Sequence, residues 1–361
     1  MHGLLGRDLC SVLQVRRPEI RQGVLSLNEF ITLAHGSGGK PMHELVGSLF
    51  KKYLANDLLL EGDDSARLTV QSGRLAFSTD SYVISPIFFR GGNIGKLSVC
   101  GTVNDLSTSG AAPLYLSCGF IIEEGFRVSE LEEIVASMAA TAAECGAKVV
   151  TGDTKVVPKG AADKLFINTS GIGIIPSDIE ISGKNARPGD KVIISGTLGD
   201  HGCAVLLDRE KLGIKSDIQS DCAPLSGMVR QLIDGAGSVH VLRDPTRGGL
   251  ATTLNEIAQQ SGVTIRLNEA ALPVRLDTQG ICGMLGLDPL YLANEGKMVC
   301  IVGKESADSA LSILRNHKYG RDAEIIGEIT DLPGNKVYLE TITGGSRILD
   351  MLQIDQLPRI C

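Results

Sequence analysis

Aspartates recur at the ends of predicted strands in this chain, and that placement constrains its architecture more than any other feature. Asp80 closes the run Phe77-Ser78-Thr79, Asp153 follows Val149-Val150-Thr151-Gly152, and Asp244 follows Val241-Leu242-Arg243. Asp63 and Asp64 follow Glu61-Gly62, and Asp105 lies within a predicted helix. Folds of the α/β type gather their sites at strand ends. Carboxylates assembled there repel one another unless a cation lies between them. Mg²⁺ carried on a nucleoside triphosphate suits such a place, because it takes oxygen ligands and binds through few carboxylates. Asp64, Asp80, Asp105, Asp153 and Asp244 are therefore the candidate metal ligands. Taken singly, each reads as a turn or cap residue.

Two glycine-rich stretches open helices. In the first, His35-Gly36-Ser37-Gly38-Gly39-Lys40 precedes Met42, Leu45, Val46, Leu49, Phe50 and Tyr53, which recur at i, i+3, i+4, i+7, i+8 and i+11. Pro41 fits the first helical position. Glycines leading into a helix present backbone N–H groups to an anion, and the helix dipole adds to the attraction. A Walker A loop would need Ser or Thr after the lysine, where Pro41 stands. From the loop alone, phosphate binding and a plain turn both stay open. The second stretch is Asp244-Pro245-Thr246-Arg247-Gly248-Gly249, before a helix with the apolar face Leu250, Leu254 and Ile257. Arg247, Gly248 and Gly249 beside a helix start make a phosphate clamp.

At 361 residues the chain can bury two cores. Further strands are expected at Arg74 to Thr79, Lys148 to Thr151, Lys164 to Gly173, Lys191 to Ser195, Val239 to Leu242, Met298 to Val302 and Lys336 to Thr341. Helices are expected at Ile94 to Ser109, Ser129 to Cys145, Leu250 to Ser261 and Ser306 to Asn316. The mixed order argues for α+β layers over a regular doubly wound sheet. The expected organisation is an N-terminal extension (1–26), a first domain (27–177), a second α/β domain (178–345) and a mobile tail (346–361). Extended, that tail would reach about 50 Å.

Lys and Arg number 35 against 42 Asp and Glu, a net charge of −7, which is a poor endowment for a nucleic-acid binder. No apolar run approaches the ~20 residues of a membrane span, and no secretory leader is visible. The expectation is a cytoplasmic protein. Nine cysteines occur without CxxC pairs or zinc-finger spacing, so a disulfide framework is not expected. Only Cys361 has a position that asks for a role. It ends the tail Pro358-Arg359-Ile360-Cys361. A thiol there could accept a group at a partner's site and carry it back to its own. The neighbouring α-carboxylate disfavours the thiolate, so an already activated donor is expected to be needed.

Together these segments resemble the HypE family of hydrogenase maturation proteins, within the superfamily of aminoimidazole ribonucleotide synthetase and selenophosphate synthetase. The resemblance is carried by Leu33 to Lys40, Gly62 to Ala66, Phe77 to Ser81, Cys100 to Leu106, Thr151 to Lys155, Asp244 to Gly249, Asn294-Glu295-Gly296 and the terminal Pro358 to Cys361. It covers Leu27 to Cys361, and the terminal motif sets this family apart within its superfamily. It implies two α/β domains, with the N-terminal ones pairing in a homodimer around a shared β-barrel and ATP held in a cleft. It also implies a reaction. The carbamoyltransferase HypF would load a carbamoyl group on the Cys361 sulfur. ATP-dependent dehydration would then give an S-cyanide, passed to iron on a HypC–HypD complex.

On that resemblance, His35, Gly36, Ser37, Gly38, Gly39, Lys40, Asn104, Thr246, Arg247, Gly248 and Gly249 would bind the nucleotide. Glu295 would accept protons, and Lys155 would hold the carboxamide oxygen or the γ-phosphate. On a strand, Lys155 and Asp153 share one face. Without the resemblance, Glu295 reads as a surface residue at a strand edge. Two other readings stand beside this one: a superfamily synthetase acting on a small molecule, and a non-catalytic carbamoyl carrier. A selenophosphate synthetase would need a reactive residue near the first glycine loop, which has no cysteine.

Overall fold

A computed structural model describes residues 29–62, 65–70, 73–210, 212–352 and 357–361. The extension expected over residues 1–26 and the candidate ligand Asp64 lie outside the described residues.

The N-terminal part begins with a 3₁₀ turn, Leu33–Gly36. A helical run follows as α1 (Lys40–Leu45), a π-type turn (Val46–Phe50) and α2 (Lys51–Leu54). Next come α3 (Asp57–Glu61), β1 (Arg74–Tyr82), a ribbon of β2 (Phe88–Phe89) and β3 (Gly92–Asn93), and α4 (Ile94–Thr108). The elements β4 (Ala112–Glu123), α5 (Val128–Cys145), β5 (Lys148–Val157) and β6 (Leu165–Ile175) complete it. The sheet order is β1-β6-β4-β5, with only β4 and β5 parallel. Helices α4 and α5 cover one face. In α5, Leu131, Ile134, Val135 and Met138 are all buried, the helical spacing of one core face. Helix α4 starts at Asn93, whose side-chain oxygen accepts from the Gly95 and Lys96 N–H groups at 2.9 and 3.1 Å. The other face of the sheet is open. Leu75, Phe77 and Ile121 project there with 48%, 71% and 45% exposure. The described strands leave this sheet open, with β1 and β5 as its edges.

The C-terminal part contains β7 (Lys191–Ile194), α6 (Asp200–Glu210), α7 (Ser226–Ala236), β8 (Val239–Arg243), α8 (Gly249–Ser261) and β9 (Thr264–Asn268). It continues through α9 (Leu276–Leu285), β10 (Val299–Val302), α10 (Ala307–Asn316), β11 (Glu324–Thr330), β12 (Val337–Glu340) and β13 (Ser346–Ile348). The sheet order is β13-β12-β9-β11-β7-β10-β8. The apolar runs in β7 and β10 are buried on both faces. Val192, Ile194, Val299 and Ile301 pack with Leu250, Leu254 and Ile257 of α8. Ile193, Cys300 and Val302 pack with Leu232 of α7 and Leu314 of α10 on the opposite face. A layered two-domain α/β fold results, as the order of predicted elements implied.

Three boundaries differ from the sequence reading in ways that bear on the site. Strand β5 runs on through Asp153 and Lys155, because the ladder to β4 pairs Asp153 with Gly119 and Lys155 with Ile121. Asp80 likewise lies inside β1. The tail expected from residue 346 begins later: Ser346–Ile348 is a strand paired with β12, and Leu349 is buried. Nor is the chain end free of the body. Leu357 and Ile360 join the core shared by α4, α5, α6 and α9.

Candidate active site

Alternation along β1 sends Ser78, Asp80 and Tyr82 toward α4. The Ser78 hydroxyl donates to Asp105 Oδ2 at 2.7 Å. Asp244 enters from the end of β8, which packs against α4. These three carboxylates feel one another. Asp244 is pushed up to about 7, by burial first and then by the charges of Asp105 and Asp80. Asp105 is raised by burial and by Asp80, against the Ser78 hydrogen bond and the guanidinium groups of Arg243 and Arg247. A site made of oxygen donors in mutual repulsion suits Mg²⁺ held by one or two carboxylates together with phosphates.

Glu295 adjoins this cluster. It is not at a surface strand edge, as its neighbours in sequence suggested, but on a buried loop, with Oε1 lacking a hydrogen-bond partner among the described residues. Burial raises its pKa well above the carboxylate range, helped by Cys222, Asp244, Asp221 and Asp80. Its backbone is held firmly. The Glu295 N–H donates to Asp221 Oδ1 at 3.0 Å, and its carbonyl accepts from Ala223 N at 3.3 Å. Lys297 Nζ balances Asp221 at 3.1 Å.

Asn104 lies buried at the junction of the two parts. Its amide nitrogen donates to the Ala223 and Glu295 carbonyls at 3.1 and 3.3 Å, and its oxygen accepts from Leu225 N at 2.8 Å. A buried amide used in this way joins α4 to the second domain and positions Glu295.

Thr246 shapes the entry to α8 through its backbone: its N–H donates to Asp244 O at 3.0 Å and its carbonyl accepts from Gly249 N at 2.9 Å. Gly248 and Gly249 have φ of 77° and 60°. A Cβ on Gly249 would lie 2.6 Å from the Leu290 and Leu292 carbonyl oxygens, so only glycine lets the helix start so close to that loop. No side chain caps this N-terminus, and Arg247 stands exposed beside it. Anions are attracted to such a place.

The tail closes over the same region. Leu357 and Ile360 line a small gap with Arg247, Gly248, Tyr291 and Leu292. The Cys361 carbonyl oxygen accepts from Val83 N at 3.1 Å, three residues beyond Asp80. The terminal cysteine therefore rests against the body of the chain, half-buried beside the first core.

The first glycine loop lies elsewhere. His35 is buried and its Nδ1 accepts from Thr32 N at 3.0 Å, so it braces the turn. A Cβ on Gly36 would fall 2.5 Å from Val156 N of β5. Ser37 Oγ donates to Ala34 O at 2.9 Å, Gly38 has φ of 79°, Gly39 precedes α1, and exposed Lys40 lies 3.6 Å from Glu44. Beside this loop a cavity of about 120 Å³ is lined by Met42, Val46, Phe50, Phe120, Gly152 and Thr154. Asp153 and Lys155 pair at 2.6 Å on the same edge, both largely exposed.

Asp153 thus does not join Asp80, Asp105 and Asp244 within one chain. Strands β1 and β5 are separated by three interstrand spacings, roughly 14 Å. Among the described residues, no three acidic, Cys or His side chains form a metal-ligating group. Asp80, Asp105 and Asp244 lie close enough to shift one another's protonation, whereas Asp153 stands on the far edge strand of the sheet. Sequence reasoning missed Asp221, Lys297, Val83, His201 and Arg209, all of which act through contacts far apart in sequence.

Two α/β layers joined where α4 packs on α7 and β8, with carboxylates contributed from both sides, define the class of protein. Family models described as AIR synthase related protein match its N-terminal domain at residues 62–175 and its C-terminal domain at residues 187–340. Carbamoyl dehydratase HypE of Bradyrhizobium diazoefficiens is 49% identical over 347 residues, which are 96% of this chain and 99% of that protein. A crystal structure of hydrogenase maturation protein HypE in complex with ATP superposes with a TM-score of 0.89 at 52% identity, covering 91% of this chain and 99% of the other. A HypE chain in a HypE–HypF complex superposes with a TM-score of 0.75 at 50% identity, over 85% and 99% of the two chains. The chain belongs to the HypE family of AIR synthase related proteins.

Proposed function

We propose that the chain uses ATP to dehydrate a carboxamide carried on its own Cys361 sulfur, giving a thiocyanate that supplies cyanide for hydrogenase maturation. The observation that supports this reading is the docked tail, whose Ile360 shares a small gap with Arg247 and Gly248 at the start of α8 and is followed directly by Cys361.

The chemistry follows from those groups. An amide oxygen leaves poorly. Attack of that oxygen on the γ-phosphate of ATP gives an O-phosphorylated imidate and ADP, with loss of one proton from nitrogen. Breaking the C–O bond then releases phosphate and forms the nitrile, with loss of the second proton. Glu295 would take these protons, and its raised pKa makes it, once ionised, a stronger base than an exposed carboxylate. Arg247 and the uncapped start of α8 would hold phosphate oxygens. Asp80, Asp105 and Asp244 would hold Mg²⁺ on the nucleotide, which would neutralise charge on the transferred phosphoryl.

The open face and edges of the first sheet support a homodimer. Pairing two copies about a two-fold axis, with β5 of one beside β1 of the other, would close a barrel over Leu75, Phe77 and Ile121. It would also bring Lys155, Asp153 and the glycine loop of one copy to the Asp80 cluster of its mate. The apolar cavity beside Phe50 and Phe120 would then take a nucleobase. HypF is the proposed carbamoyl donor and a HypC–HypD complex the proposed acceptor of cyanide.

Intact and peptide mass spectrometry tests the reading, with HypF, carbamoyl phosphate and Mg-ATP present. A carbamoyl adduct should form on Cys361 and lose one water only with ATP, and Cys361→Ala should take no adduct. An adduct that persists while ATP is hydrolysed would leave the chain a carrier.

A further inference from the structure

The end of the chain is held by its main chain, and one side chain makes most of the hold. Arg209, near the end of α6, donates from Nε to the Ser85 carbonyl at 2.7 Å. Its Nη1 and Nη2 donate to the carbonyls of Pro358 and Arg359 at 2.8 and 2.7 Å. One guanidinium therefore ties two tail carbonyls to the segment leaving β1. The planar fork permits this; a lysine ammonium, with a single nitrogen, cannot span the same three acceptors.

Other bonds continue the pattern. Ser85 N donates to Arg359 O at 3.3 Å and Val83 N to Cys361 O at 3.1 Å, so the tail is added beside residues 83–85 like a short strand. Arg359 answers with Nε to Val83 O and Nη1 to Asp163 Oδ2, both at 2.8 Å. His201, eight residues before Arg209, lies within 2.8 Å of the Ile360 carbonyl through Nε2 and 2.7 Å of Ser220 Oγ through Nδ1. Burial lowers its pKa and keeps the ring neutral. Nε2–H then donates to the tail, and Nδ1 accepts from the serine.

We infer that Arg209, seconded by His201, is the latch that seats the tail, a positioning residue for chemistry on Cys361. The Arg209 and His201 bonds named above end on carbonyls upstream of Cys361. Their strength sets the balance between seated and released tail. Resting on the reading proposed above, this has an unusual consequence. Weakening the latch hinders the step inside the chain and helps the step at a partner.

The test compares the full-length protein with Arg209→Lys and Arg209→Ala. The first readout needs no partner: the rate at which iodoacetamide alkylates Cys361, followed on the C-terminal peptide. Loss of two charge-assisted bonds should shift the seated-to-released ratio roughly ten- to hundredfold. Alkylation should rise about tenfold or more in Arg209→Ala and severalfold in Arg209→Lys, with the melting temperature unchanged. The second readout follows the two half-reactions. ATP-driven loss of water from the carbamoylated tail should slow, while carbamoylation by the transferase holds or quickens. An alkylation rate equal to the parent's in both variants overturns the latch, as does a parallel fall of both half-reactions. Should Arg209→Ala fail to fold, Arg209→Lys decides by the same two readouts. If the variants alkylate faster but no nitrile forms even in the parent, the latch stands and the dehydratase reading falls.

Discussion

Glu295 keeps a carboxyl oxygen in a buried place where no donor among the described residues reaches it, so its protonation follows its surroundings closely. A base must be ionised to act, and burial holds Glu295 protonated to a higher pH than an exposed carboxylate. The dehydration rate should therefore fall on acidification, with a midpoint above the ordinary carboxylate range, as single-turnover mass analysis across pH would show. Glu295→Gln should slow nitrile formation by roughly 10²-fold or more and leave carbamoylation of Cys361 intact. Asp244 makes a second test. Its pKa, pushed up to about 7 in the folded state, exceeds the ordinary aspartate value of about 3.9, so the native state binds the proton more tightly than the unfolded chain. Stability from this group is present at low pH and is lost as pH rises through that window. Without nucleotide, Asp244→Asn should thus melt higher than the parent at pH 8, with the gap shrinking toward pH 5. Mg-ATP should stabilise the parent more than the variant, since the carboxylate is then useful.

Among the elements, α8 shows how a helix start is made by exclusion of side chains. Gly249→Ala would place a methyl against two carbonyl oxygens at a positive φ, costing roughly 1–3 kcal/mol. Urea unfolding should read that loss, and ATP affinity should fall with it, because the helix N-terminus moves away from the cluster. The helix itself was legible: Leu250, Leu254 and Ile257 announce its face, and Gly248-Gly249 its entry. Helix α5 was equally plain from its periodicity. Strand β5 extends beyond the expected Thr151, because Gly152-Asp153, taken singly, has the composition of a turn. Asp153 and Lys155 stay extended because β4 supplies a ladder and because an edge strand tolerates charged side chains facing solvent. Asn104 illustrates the reverse: its place in a helix was visible, yet its role came from acceptors more than a hundred residues away.

For the molecule as a whole, the uncovered sheet face supports the proposed homodimer, since Leu75, Phe77 and Ile121 form an exposed apolar patch on it. Phe77→Asp should halve the mass seen by light scattering and abolish ATP turnover, because Lys155 and the Asp80 cluster would no longer meet. A variant that stays dimeric with full turnover would remove the composite site.

By itself, the sequence determined the layered α/β class, the helix entries, the family resemblance and the presence of a cysteine at the end of the tail. Those properties rest on local spacing, glycine placement and short motifs, which a linear reading can see. Tertiary structure alone decided which aspartates meet, that Glu295 is buried with Oε1 lacking a partner among the described residues, that Asn104 serves as a brace, and that Arg209 and His201 hold the chain end. Each depends on atoms joined across scores to hundreds of residues, and the packing of α4, α6 and β8 against one another brings them together.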